Sequence, residues 1–164
     1  ATLASGETVV TWVERIAGVE FNIKGQLFDK SGNKFGNAFL ISQNEYGVGA
    51  TRKVIAVNDN LFAMSVNDSP VNLRELILFN KEGDILSSNI NLDSNSTEQK
   101  YGIEILLTHD NNILICWRTQ NIICSIVSPQ GEVILDRKTV FQSKTYNFNH
   151  FQIIKLTTLR TKSP

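Results

Sequence analysis

The sequence predicts an all-β fold in which a four-stranded antiparallel unit of about fifty residues is repeated three times. Two landmarks recur with almost the same period, and no amphipathic helical stretch of useful length lies between them. The first landmark is a glycine that ends a short polar turn, at Gly32, Gly83 and Gly131, with intervals of 51 and 48 residues. Two independent landmarks that share one period are hard to produce by chance, so we expect a structural repeat.

The second landmark is a short segment rich in β-branched and aromatic residues, which are typical of strands. It contains Trp12, Met64 and Trp117 in the three copies, at intervals of 52 and 53 residues. Segments such as ETVVTWV and ILICWR are too short for helices. We therefore expect these three residues at equivalent positions, where large side chains most often pack a shared core, with a sugar-stacking platform as the alternative.

The polar turns have the chemistry of β-hairpin turns. Asp29 and Asn80 begin two of them, and their side-chain oxygens can accept hydrogen bonds from the backbone amides that follow. Pro129 fixes φ in the third turn, and the final glycine of each turn tolerates a positive φ. The alternation of Asp29, Ser31 and Asn33 also resembles part of a calcium loop, but further oxygens and a distal Glu are missing. We expect a hairpin there and no metal.

The chain is predicted to form a single repeat domain over residues 1–164, with approximate repeats 1–50, 51–100 and 101–150 and a final strand at 151–157. The final segment FQIIKLT resembles RKVIAV and GIEILLT, each of which precedes a landmark strand. Two interpretations follow from this phase of the repeat. The final strand completes the first repeat and closes a ring, or the chain is part of a longer array.

One repeat resembles a known class of sequence. Residues 9–42 resemble tandem repeats of large bacterial secreted or surface proteins, in which a V-V-x-W strand precedes a G-Q-x-F-D-x-x-G-x-x-x-G-x-x-F strand pair. The likeness weakens in the second and third copies, where Met64 replaces the tryptophan. The resemblance implies propeller-like blades and a secreted or surface location, and it brings no catalytic residues. A β-trefoil is the alternative architecture. The matching residues are Val9, Val10, Trp12, Gly25, Gln26, Phe28, Asp29, Gly32, Gly36 and Phe39.

The composition is ordinary for a folded domain, with 41% hydrophobic residues, 20% charged residues and a formal net charge of 0. A neutral balance gives no electrostatic reason to bind nucleic acid or an anionic membrane surface. No apolar run approaches the roughly 18 residues that span a bilayer, so we expect no membrane insertion. Neutrality also leaves little repulsion between copies, so a homodimer is kept as an alternative to a monomer.

The tyrosines give the candidate ligand-binding site. Tyr46, Tyr101 and Tyr146 all lie in segments that link the last strand of one repeat to the first strand of the next. Connections between repeats gather on one face, which is often the binding face, and tyrosine combines an aromatic ring with a polar hydroxyl. We expect these residues to contact a protein or carbohydrate partner, with coverage of the core ends as the alternative.

The other chemistry-bearing residues give weaker signals. Cys116 and Cys124 are predicted on facing strands of a hairpin, where either a cross-strand disulfide or two buried free thiols would fit. His109 and His150 are accompanied by no nucleophile-elbow motif. We expect no catalytic residue and no cofactor, and hence a non-enzymatic binding module. A self-assembling structural segment of a larger surface protein is one alternative, and an enzyme whose site is assembled between repeats is another.

Overall fold

The computed structural model describes residues 1–15, 21–44, 51–68, 73–92 and 101–142. Over these ranges the chain forms eleven β-strands and no helix. The predicted all-β class is therefore confirmed.

The strands form three antiparallel sheets that follow one another along the chain, and within each sheet hydrogen-bonded neighbours are consecutive in sequence. The first sheet contains β1 (Thr8–Arg15), β2 (Phe21–Phe28) and β3 (Lys34–Asn44). The second sheet contains β4 (Thr51–Asn58), β5 (Leu61–Asp68), β6 (Leu73–Asn80) and β7 (Ile85–Asn91). The third sheet contains β8 (Tyr101–Leu107), β9 (Ile113–Arg118), β10 (Asn121–Val127) and β11 (Val133–Gln142).

The first sheet holds only a fragment of the strand that corresponds to β4 and β8. Thr2 forms a bridge with Thr8, and the amide of Val9 donates to the carbonyl of Ala1 at 2.9 Å. Beyond Val9, none of the described strands lies along the free edge of β1. The segment 151–157, which the sequence predicts as a strand, lies outside the described residues.

The central strands of the second sheet, β5 and β6, are buried on both faces because they lie between the other two sheets. One face packs against the first sheet, and Phe62 and Phe79 share a core cluster there with Ile23. The opposite face packs against the third sheet, where Ala63 and Trp117 belong to a second cluster. This double burial explains why the β5 sequence LFAMSV is almost continuously apolar and does not alternate with polar residues.

The paired Gly25 and Gln26 of the first repeat shape the contact between β2 and β3. A Cβ atom at Gly25 would lie 2.6 Å from the ring of Phe39, so only glycine lets that ring cover β2. The register between the two strands shifts next to Gln26. The buried Gln26 amide donates to the carbonyls of Phe35 and Gly36 at 3.2 and 3.3 Å, and it thereby satisfies backbone oxygens at the irregularity.

The same contact joins each sheet to the one before it. A Cβ at Gly83, in the β6–β7 turn, would lie 2.9 Å from the ring of Phe39 on β3. A Cβ at Gly131, in the β10–β11 turn, would lie 3.2 Å from Ile90 and 3.3 Å from Ser87, both on β7. Each turn therefore rests on the last strand of the preceding sheet, which indicates one stacking arrangement used twice.

The stack has two distinct ends. At the turn end lie the short hairpin turns 29–33, 80–84 and 128–132, which follow β2, β6 and β10. At the opposite end, the connection end, β3, β7 and β11 finish. An ion pair between Lys53 of β4 and Glu104 of β8 joins the second sheet to the third.

Candidate binding surfaces

The three polar turns are closed by one recurring hydrogen bond. The amide of the turn glycine donates to the carbonyl of the residue three positions earlier, at 2.9 to 3.1 Å. Each of these glycines has a positive φ, as the sequence predicted. The predicted hairpin turns are therefore confirmed. The pairs are Gly32 with Asp29, Gly83 with Asn80, and Gly131 with Ser128.

The carboxylate of Asp29 is occupied within its own turn. Its Oδ1 accepts the amides of Ser31 and Asn33, both at 2.8 Å, and its Oδ2 accepts the Asn33 side-chain amide at 3.1 Å. The Asn33 backbone and side-chain hydrogen bonds hold the pKa of Asp29 below its usual value of 3.8. In the part of the chain that the structure describes, no group of three or more His, Cys, Asp or Glu residues is placed to hold a metal ion.

Asp29→Asn should keep this turn and remove its pH dependence. In the second turn the Asn80 Oδ1 accepts the equivalent amides of Glu82 and Asp84 at 3.1 and 2.8 Å, so an asparagine is adequate at this position. Because the folded-state pKa of Asp29 is depressed, its contribution to stability is present above the unfolded pKa and is lost as pH falls through the folded value.

The measurement is the urea unfolding midpoint of wild type and Asp29→Asn between about pH 5 and pH 2. We expect the wild-type midpoint to fall more steeply with acidification than that of the variant. An NMR titration of the Asp29 side chain should give a pKa below 3.8. Parallel midpoint curves for the two proteins would contradict the assignment.

The two cysteines form a disulfide. Cys116 on β9 and Cys124 on β10 are direct cross-strand partners, and both side chains are almost fully buried. Of the two alternatives that the sequence allowed, the cross-strand bond is the one present. Because both sulfur atoms are bonded to each other, neither serves as a nucleophile or as a metal ligand in this state.

The tyrosines lie only partly within the described chain. Tyr46 and Tyr146 lie outside it, and Tyr101 is the first residue of β8. The described strands show only where the segments that carry them begin. These segments follow Asn44 of β3 and Gln142 of β11, and the third follows β7, so all three begin at the connection end. His109 is exposed in the β8–β9 turn, and His150 lies outside the described residues.

The strand register corrects one predicted equivalence. To compare the sheets, we align the three residues that pair with the last position before each polar turn. Four residues further along the strand from these aligned residues lie Trp12, Val66 and Trp117. Met64 therefore corresponds to Val10 and not to the tryptophans, although its sequence spacing predicted otherwise. The aligned starting pairs are Thr8 with Phe28, Phe62 with Phe79, and Ile113 with Val127.

Two apolar faces at the ends of the stack were missed by the sequence analysis. The outer face of the first sheet, which points away from the second sheet, carries exposed Val10, Trp12 and Leu40. The outer face of the third sheet carries a row of paired residues across four strands, Leu106, Leu114, Ile126 and Leu135. The apolar residues of β1 and β9 were visible in the sequence, but not which sheet covers which face.

Comparison with known proteins assigns this chain to no family. No protein-family model, no curated protein and no solved structure matches this chain. The resemblance of residues 9–42 to bacterial surface repeats therefore stays a prediction. Among the described residues, no helix is long and apolar enough to cross a membrane.

Proposed function

We propose that the protein is a non-enzymatic β-repeat binding module that recognises a protein or a glycan at its connection end. In this proposal the three sheets are propeller-like blades, and the connections between them form the recognition surface. The observation that supports the proposal is the equivalent place of the three tyrosine-bearing segments in the order of the strands. They begin after β3, β7 and β11, the corresponding last strands of successive sheets.

The recurring stacking contact supports this arrangement. Because Gly83 rests on β3 as Gly131 rests on β7, successive sheets bear a similar relation to each other. Segments that leave equivalent strands of similarly stacked sheets begin side by side. Tyrosine suits such a surface, since its ring can stack on a sugar or an apolar side chain while its hydroxyl hydrogen-bonds.

The triple variant Tyr46→Ala, Tyr101→Ala, Tyr146→Ala should abolish ligand binding and leave thermal stability nearly unchanged. Binding is measured first for wild type on a glycan array and a displayed-peptide library, and then for the variants on the strongest hits. A matched triple alanine variant at the turn end, at exposed Ser31, Glu82 and Gln130, should bind as wild type does.

Three results would count against this proposal. The first is full binding by the tyrosine variant, and the second is loss of binding by the turn-end variant. The third is a large drop in the melting temperature of the tyrosine variant, which would assign these rings to the ends of the core.

A further inference from the structure

We infer that two copies of this chain bind each other head to tail, with the outer face of the first sheet in one copy packed against the outer face of the third sheet in the other. This inference is independent of ligand recognition at the connection end. It rests on the repeated stacking of the sheets and on what the two outermost faces present.

Positions that are buried between sheets inside the stack are exposed on the first sheet. Met64 and Ile115 face the preceding sheet and are both 0% exposed. Val10 occupies the same register position in the first sheet and is 49% exposed. The position keeps an apolar side chain although no described sheet covers it, so the first sheet presents a stacking face without a neighbour.

The tryptophans repeat this contrast. Trp117 is 0% exposed because the second sheet covers it, whereas Trp12, at the same register position, is 38% exposed. Lys24 lies beside Trp12 across the β1–β2 pair, and its ammonium group forms an ion pair with Glu14. The outer face of the first sheet is therefore apolar around Trp12, and the ion pair beside it adds no net charge, although covering that pair would cost desolvation energy.

The third sheet exposes the other type of face, the one that contacts a following sheet in the first and second sheets. Val9 and Ala63 point toward the following sheet and are buried, whereas Leu114 at the same register position is only half-buried. Ile126, which pairs with Leu114, is half-buried as well, although the corresponding Leu78 is buried. The outer face of the third sheet therefore carries apolar residues at the positions through which the first and second sheets contact the sheet that follows them.

The contact between a turn glycine and the last strand of the preceding sheet is missing one partner at each end of the stack. Gly32 corresponds to Gly83 and Gly131, yet a Cβ placed there would meet nothing within 4 Å. At the other end, β11 corresponds to β3 and β7, but none of the described turns lies against it, and every one of its residues is exposed. Leu135 on β11 corresponds to Ser87, which lies 3.3 Å from the Cβ position of Gly131. The exposed Lys138 corresponds to Phe39 and Ile90.

A second copy is the occupant that fits both faces at once. It would supply a third-sheet face to the first sheet, and a first-sheet face to the third, so that the stacking already used twice within the chain continues. Such heterologous contacts generate a closed ring where the rotation closes and an open filament where it does not. The formal net charge of 0 leaves little long-range repulsion between copies.

Molar mass in solution tests the inference, measured by light scattering on wild type over a range of concentrations. Wild type should be larger than a monomer at high concentration. Val10→Lys blocks the first-sheet face and Leu135→Lys blocks the third-sheet face. Each variant alone should be monomeric, with the self-association constant weakened by more than about 100-fold, because each places an unpaired charge in an apolar contact.

The mixture of the two variants separates head-to-tail assembly from other modes. Val10→Lys retains its third-sheet face and Leu135→Lys retains its first-sheet face, so the mixture should form a one-to-one dimer and nothing larger. Leu86→Lys, an equally apolar and exposed position on β7 of the middle sheet, should assemble as wild type does. Thermal melts establish that each variant is folded, and Val10→Gln and Leu135→Gln replace any variant that is not.

Several outcomes would overturn the inference. A wild-type chain that stays monomeric at every concentration leaves the two faces without this role. Assembly that survives both lysine substitutions, or is lost equally with Leu86→Lys, places the interface elsewhere. Loss with only one of the two variants indicates a symmetric contact between identical faces. Acrylamide quenching provides a second readout, since assembly should protect Trp12 while Trp117 stays protected throughout.

Discussion

Phe79→Ala should lower the free energy of unfolding by about 3–5 kcal/mol, the largest effect of any single substitution considered. Phe79 is completely buried in the second sheet, in the cluster that holds the first and second sheets together. Its ring centroid lies 5.4 Å from that of Phe62 in the same sheet and 5.9 Å from that of Phe39 in the first sheet. Truncation therefore creates a cavity and removes an aromatic contact between sheets.

Urea unfolding monitored by circular dichroism gives the stability difference directly. Phe35→Ala is the matched control, because Phe35 is on β3 in the first sheet and is 55% exposed. We expect the control to change stability by no more than about 0.5 kcal/mol. Similar losses for the two variants would mean that the packing between the first and second sheets does not depend on Phe79.

Removal of the Cys116–Cys124 bond is the second large effect that we expect. The bond closes a short loop, with eight residues of sequence separation, so the chain-entropy estimate of its contribution is roughly 2.5 kcal/mol. Its two ends lie on strands that already pair through their backbones. The bond therefore acts mainly on the unfolded chain, which it prevents from expanding between β9 and β10.

The double variant Cys116→Ala, Cys124→Ala separates the bond from the side chains. Wild type should lose stability when a thiol reductant is present, whereas the double variant should have the same urea midpoint with and without it. Mass spectrometry after alkylation gives the oxidation state of each sample. Two free thiols in air-oxidised wild type, or an unchanged wild-type midpoint after complete reduction, would contradict this role of the bond.

The turns were predictable from sequence because their chemistry is local. Asp29 and Asn80 each begin a turn that a glycine ends, and backbone amides two and four positions later find the side-chain oxygen whatever the rest of the fold does. The all-β class followed from such turns together with short β-rich segments. The exact equivalence of strands did not follow, because segments of different length between β1 and β2 and between β5 and β6 shift the sequence spacing relative to the register.

The environment of Trp12 could not be predicted for a different physical reason. Trp12 and Trp117 share a register position and a residue type, yet one is 38% exposed and the other is 0% exposed. The difference lies in which sheet covers each face, and this is a property of tertiary arrangement. Of the candidate site residues, Tyr101 falls in a described strand, and Tyr46 and Tyr146 lie outside the described residues.

The double burial of the second sheet has a consequence for how the protein loses its structure. Phe62 and Met64 on one side, and Ala63 and Leu78 on the other, have no contact with water in the native state. Detaching either neighbouring sheet would expose one apolar face of the second sheet to water, and such a face would be prone to aggregation. Melting of an outer repeat should therefore carry the central one with it, and we expect a single cooperative transition rather than three.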